Sequence, residues 1–284
     1  MVIDAHVYCL PERLADPAVK LPARERVIMG AIHKHPEGRL ALSRCSTKAI
    51  LASMRKSGIA RSVLVSFPWA GQELCIENNN HIITAVAENA SFLAICSVKP
   101  GGKGWLVEAE RCLANGAVGI KVNPSWQGCE LDGPEIGELA EFIETKNSML
   151  MIHIDHPFRY SKASPAGLLT LAAKYPRTKI LAAHLGGLLG LYTLHQPIAG
   201  LLGNVWYDTA VSSTLELVKY CVEAGLEKKI IFGSDFPFNH SHSQSQVLDG
   251  IRKLGFGEKA ESLILERNFL NLIKKGQPGR GHSQ

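Results

Sequence analysis

Residues 149–184, MLMIHIDHPFRYSKASPAGLLTLAAKYPRTKILAAH, spell out one complete unit of a repeating fold. Met149–His153 is an apolar run that ends on an imidazole, and Lys179–His184 is another. A nearly continuous apolar run is what a strand buried on both faces shows. Between the two runs, Pro165 opens a helical stretch that ends near Tyr175, at the one helical position where a proline costs little. Strand, helix and strand in this order predict neighbouring parallel strands of an α/β sheet.

The same rhythm runs outward in both directions. The other strand-like runs are Val2–His6, Ser62–Phe67, Phe92–Val98, Val118–Asn123, Val205–Thr209 and Ile230–Asp235. Helical spacing fills the gaps at Thr47–Ser57 (with Gly58 as its terminator), Glu77–Asn89, Leu106–Asn115, Glu135–Lys146, Ser213–Ala224, Gln244–Leu254 and Glu258–Ile273. About eight βα pairs predict a (β/α)8 TIM barrel, which takes roughly 250 residues. The expected layout is one domain over residues 1–273 of the 284, with residues 274–284 a flexible tail. Residues 9–45 form a long insertion after the first strand, read as irregular. Its basic residues (Arg13, Lys20, Arg24, Arg26, Lys34, Arg39, Arg44) outnumber its acids, so it is either a solvated excursion or a lid that attracts a carboxylate.

Bulk properties exclude several classes. Hydrophobic residues make up 46% and charged ones 20%, which is globular rather than disordered composition. The net charge of +5 comes without a Lys/Arg run, so nucleic acid is not expected, and no run is apolar enough for a membrane span. Seven cysteines without a Cys-x-x-Cys pair argue against a disulfide framework and a thiolate zinc site. The start of the chain lacks the features of a secretory signal, so a cytoplasmic location is expected. Gly186-Gly187-Leu188-Leu189-Gly190 reads as a tight turn rather than a phosphate loop.

Polar residues cluster where the apolar runs end: His6, Lys121, Asn123, His153, His184, Asp208 and Asp235. In a barrel those ends converge on one mouth, where active sites sit. Imidazoles and a carboxylate around one point suit a catalytic zinc site with an open position for water. Asp208 is read as a candidate substrate contact, or as a residue that orients a histidine or caps a loop. Lys121 is read as a substrate-binding cation or, if carboxylated, a bridge between two metals. Asn123, Trp126 and His156 are further candidate substrate contacts.

Ile3-Asp4-Ala5-His6, Asn78-Asn79-Asn80, Gly119-Ile120-Lys121, Ile152-His153, Ala183-His184-Leu185-Gly186-Gly187 and Gly233-Ser234-Asp235-Phe236-Pro237 together resemble the amidohydrolase superfamily. The resemblance is to its amidohydrolase-related group, which includes aminocarboxymuconate semialdehyde decarboxylase-like enzymes. It implies a barrel with one divalent ion, zinc first and manganese or iron as alternatives. His6, His153 and Asp235 would be ligands, and His184 would contact the metal-bound water or the substrate. The family's first strand usually ends in His-x-His, whereas this chain reads His6-Val7-Tyr8. A phenol is a poor ligand, so the metal is expected to be weak or absent unless Tyr8 replaces the imidazole.

The leading functional expectation is a metal-dependent hydrolase of a small anionic substrate, cleaving a C–N or C–O bond. Asp235 would move the water proton and His184 would stabilise the oxyanion. The first alternative is a non-oxidative decarboxylase on the same residues. The second is a metal-free lactonase or hydratase, or a barrel that only binds a ligand. A small carboxylate is the expected partner, and by analogy with similar barrels a homodimer.

Overall fold

A computed structural model describes residues 1–16, 18–34, 38–156, 161–193, 195–211, 215–239 and 242–274. All eight expected strands form: β1 (Ile3–Tyr8), β2 (Arg61–Val65), β3 (Phe92–Ser97), β4 (Gly119–Val122), β5 (Met149–Ile152), β6 (Lys179–Ala182), β7 (Val205–Asp208) and β8 (Ile230–Ile231). They lie in sequence order, each parallel to the next. The ring closes through β1, where the Ala5 N–H donates to the Phe232 carbonyl at 2.9 Å and the Tyr8 N–H to the Phe236 carbonyl at 2.8 Å. Closure leaves no sheet edge exposed, and the architecture is that of a (β/α)8 barrel.

Side chains alternate between two apolar layers, as the period-two pleat requires. Ile3, Ala5, Val63, Val65, Ile95, Met149, Met151, Leu181 and Ile231 pack inside the barrel. Val7, Leu64, Ala94, Ile120, Leu150, Ile180 and Val205 pack outward against the helices. In β1 the alternation breaks: Ala5 and Tyr8, three apart, are both inside while Val7 is outside. The register shifts by one residue between Asp4 and Val7, which is a bulge, and it falls at His6. Bulges of this kind re-aim a side chain.

Helices fill the connections close to their expected limits. Thr47–Ser57 is capped by the Ser46 side chain, and Gly58 terminates it at φ 66°. Pro134 and Pro165 each occupy the first turn of their helices. Gln72–Glu88 begins five residues before its expected start, because the apolar pattern is weak over its first turn.

The insertion corrects an expectation. It is helical rather than irregular, with helices Glu12–Ala15, Ala23–Lys34 and Gly38–Ser43. Leu14, Leu21, Ile28, Met29, Ile32 and Leu42 are buried against the inner apolar layer. Their burial stabilises helices whose own apolar pattern is faint. The Glu25 carboxylate accepts from the Gly71 N–H at 2.7 Å, which ties the insertion to the loop after β2. The tail from residue 275 and His240 lie outside the described residues. Among the described residues no helix is long and apolar enough to cross a membrane.

Candidate active site

His6, at the β1 bulge, is fully buried. Its Nδ1 lies 2.8 Å from Asp208 Oδ2 at the end of β7, and its Nε2 lies 3.4 Å from Asp235 Oδ1 just beyond β8. A carboxylate can only accept, so His6 Nδ1 donates to Asp208, and Nε2 presents a lone pair when Asp235 carries a proton. That nitrogen is buried without a hydrogen-bond partner. Asp208 is also a hub for backbone: its Oδ1 accepts from the N–H groups of His184 at 2.7 Å and Ala210 at 3.2 Å. Burial pushes the Asp208 carboxyl up, but the His6 hydrogen bond and the charges of His6, His184 and Lys121 outweigh it and hold it below the usual carboxylate range.

A second line of groups runs across the mouth. His184 Nδ1 lies 2.9 Å from the Ala210 carbonyl, and its Nε2 lies 2.9 Å from His153 Nδ1. His153 Nε2 lies 3.1 Å from Asp155 Oδ1, whose other oxygen accepts from Ser125 Oγ at 2.6 Å. These three histidine contacts need three ring protons, and two neutral imidazoles supply two. With two protons, one of the three contacts lacks a hydrogen. Burial pulls His153 down to about 4 against the Asp155 hydrogen bond, with the charges of His184 and Lys121 lowering it further.

His184 sits on a strained turn. His184, Leu185, Gly186, Gly187 and Leu188 all have positive φ, between 53° and 72°. For each of the three non-glycine residues this costs roughly 1–2 kcal/mol. The glycines at 186 and 187 are required by space as well: a Cβ on Gly187 would lie 2.3 Å from the Asp155 carbonyl oxygen. The turn brings the backbone N–H of His184 onto Asp208 and its imidazole against His153. Asp235, at φ 58°, is the other positive-φ residue of the site. Such outliers cluster at functional sites.

Lys121 is fully buried at the end of β4, and its Nζ has no hydrogen-bond partner. Burial pulls it down to about 8, against the opposing charges of Asp208 and Asp235. Asn123 caps the short helix Pro124–Gln127 with its carbonyl oxygen, while its Nδ2 is buried without a partner. Tyr8 is buried, and burial with the nearby charges of Asp235 and Asp208 raises its phenol well above the ordinary range. It stays neutral and faces the His6 ring at 5.2 Å.

One side of the mouth is aromatic. Tyr8, Phe67, Trp126 and Phe238 contact one another, with Phe67 and Trp126 stacked at 5.0 Å. Trp126 lies nearly parallel to the His153 ring at 6.0 Å. On the other side, a cleft of about 540 Å³ opens over His153, Asp155, His156, His184, Leu188 and Val211. Phe67 and Phe238 gave no sequence signal, because an apolar side chain at a strand end reads as core.

His6 Nε2 and Asp235 face one another, but both ring nitrogens of His153 are engaged elsewhere and Tyr8 holds the place of the further imidazole. Among the described residues, no group of three or more His, Cys, Asp or Glu side chains is placed to hold a metal ion. The donor set, as it stands, does not fit a zinc-type centre with three protein ligands.

None of the curated protein sequences matches the chain. Among solved structures, 5-carboxyvanillate decarboxylase from Sphingomonas paucimobilis superimposes with a TM-score of 0.78 at 16% identity, over 96% of this chain and 98% of that one. Dihydroxybenzoic acid decarboxylase from a Polaromonas species, with bound manganese and 2-nitroresorcinol, gives 0.76 at 16% identity, over 96% of each chain. A probable 2-pyrone-4,6-dicarboxylic acid hydrolase from Acinetobacter baumannii, with citric acid bound, gives 0.65 at 16% identity, over 96% of this chain and 98% of that one. The amidohydrolase family model matches residues 3–268, and the chain belongs to that family.

Proposed function

We propose that the chain is a non-oxidative decarboxylase of a small aromatic carboxylic acid. The observation that carries this reading is an aromatic face, Trp126 and Phe238 backed by the buried rings of Tyr8 and Phe67, beside a cluster of titratable groups at the barrel mouth. An aromatic ring stacks on such a face with its substituents turned toward the polar cluster. The similarity to decarboxylases of 5-carboxyvanillate and dihydroxybenzoate favours this chemistry over the hydrolysis that the sequence suggested first.

In this scheme Asp235, 18% exposed at the mouth, delivers a proton to the ring carbon that bears the carboxylate. The C–C bond then breaks, its electron pair restores aromaticity, and neutral carbon dioxide leaves. The balance is one carboxylate and one proton in, one arene and one carbon dioxide out. His6, oriented by Asp208, faces Asp235 and holds its carboxyl in place. Any metal would supply charge stabilisation, but the donor set gives it no route into these steps.

Hydrolysis of a cyclic ester is the second reading, favoured by the likeness to the pyrone dicarboxylic acid hydrolase. Incubation with hydroxybenzoic acids and with lactone acids, followed by mass spectrometry, separates the two. The expected result is carbon dioxide with loss of the carboxyl group. Ring opening with no carbon dioxide would select the second reading. Asp235→Asn suits the positive φ and should fold, with turnover down by about a hundredfold or more. Full activity in that variant sinks the scheme.

A further inference from the structure

Three polar groups at the mouth are buried without a partner: His6 Nε2, Lys121 Nζ and Asn123 Nδ2. Burying a cation without hydrogen bonds is unfavourable, and a lysine with a purely structural role would be expected to find acceptors for its protons. Lys121 is among Asp208, Asp235, His6 and His153 electrostatically, yet it is hydrogen-bonded to none of them. An ammonium and an amide, two residues apart at one strand end, are thus two buried donors without an acceptor. Among the described residues, no group of three or more His, Cys, Asp or Glu side chains is placed there to hold an ion.

We propose that the cationic centre of this active site is the Lys121 ammonium, which with the Asn123 amide receives the substrate carboxylate, and that the chain holds no resident metal ion. The proposal rests on the reading of the substrate as an aromatic carboxylate. The flexible four-carbon stem of lysine lets the ammonium follow the carboxylate as it enters. His6 Nε2, a lone pair turned toward Asp235, is then a proton acceptor rather than a ligand.

The test uses protein purified without chelator or affinity nickel. Bound metals are counted by inductively coupled plasma mass spectrometry, and calorimetry follows benzoate and 2,6-dihydroxybenzoate in the presence of EDTA. The expected result is no stoichiometric metal and acid binding that added manganese does not strengthen. Lys121→Met and Asn123→Asp should each weaken binding by about tenfold or more, with circular dichroism unchanged. Asn123→Asp keeps the oxygen that caps Trp126, removes the donor and adds a carboxyl group that as an anion repels the ligand. One manganese or zinc per chain, binding only when manganese is added, or undiminished binding in Lys121→Met overturns the proposal, as does failure of the unmodified protein to bind either acid. The metal count needs no variant, so misfolding cannot mask it. If the acids bind through Lys121 without metal but release no carbon dioxide, the decarboxylase reading falls alone. If carbon dioxide release requires manganese, the metal-free inference falls alone.

Discussion

Asp208→Asn should disable the site while leaving its shape intact. The Asp208 carboxylate accepts three bonds: from His6 Nδ1 at 2.8 Å, the His184 N–H at 2.7 Å and the Ala210 N–H at 3.2 Å. Hydrogen bonds to a charged acceptor are worth about 1.5–3 kcal/mol and neutral ones about 0.5–1.5. Removing the charge therefore costs about 1 kcal/mol per bond, or about 3 kcal/mol together. With Oδ1 still turned to the two backbone donors, the new amide NH2 meets His6 Nδ1. Two donors cannot face one another, so His6 must shift its proton to Nε2. The lone pair facing Asp235 becomes an N–H, and turnover should fall by two orders of magnitude or more, about what misoriented tautomers cost elsewhere. Lys121 also loses a neighbouring anion, so its titration should move below about 8. Urea unfolding measures the stability change, and ring-nitrogen NMR of His6 reports the tautomer. A stability change under about 0.5 kcal/mol, or a His6 that keeps its Nδ1 proton, would refute the reasoning.

Three further outcomes are expected. Gly187→Ala combines a positive φ of 59° with a Cβ 2.3 Å from the Asp155 carbonyl, so urea unfolding should show a loss of about 2–5 kcal/mol; Gly203→Ala, with nothing within 4 Å, should lose little. Burial raises Asp4 to about 6 despite hydrogen bonds from Ser234 and Gln244. A raised carboxyl pKa favours the protonated folded form, so this contribution is intact below about pH 4 and is lost as pH climbs through 6, by about 3 kcal/mol. Carbon-13 NMR of the carboxyl checks the titration, and Asp4→Asn should remove that part of the pH slope. Trp126→Ala removes the stacked ring beside Phe67, and KM for an aromatic acid should rise by about tenfold with kcat little changed; an equal loss in both constants would place Trp126 in the reaction instead.

The alternation of apolar runs and helical stretches made the barrel legible from the chain alone, because a strand buried on both faces has to be apolar along its length. For the same reason the polar residues at strand ends stood out: nothing but a shared ligand or partner repays a charge there. That determined His6, Lys121, His153, His184, Asp208 and Asp235 as a group, together with the glycines after His184. The tertiary structure alone decided how they pair. The β1 bulge turns His6 toward both Asp208 and Asp235, a shift that the sequence period does not encode. His153 and His184, 31 residues apart in sequence, bond to each other, and His153 bonds to Asp155. Phe67 and Phe238 meet edge to face through ring contacts between distant loops. The helices of the insertion form because barrel packing buries Ile28, Met29 and Ile32. Local patterning specifies which faces are buried. Which polar atoms meet depends on distances of a few tenths of an ångström across the barrel, and those arise only once all eight strands are in register.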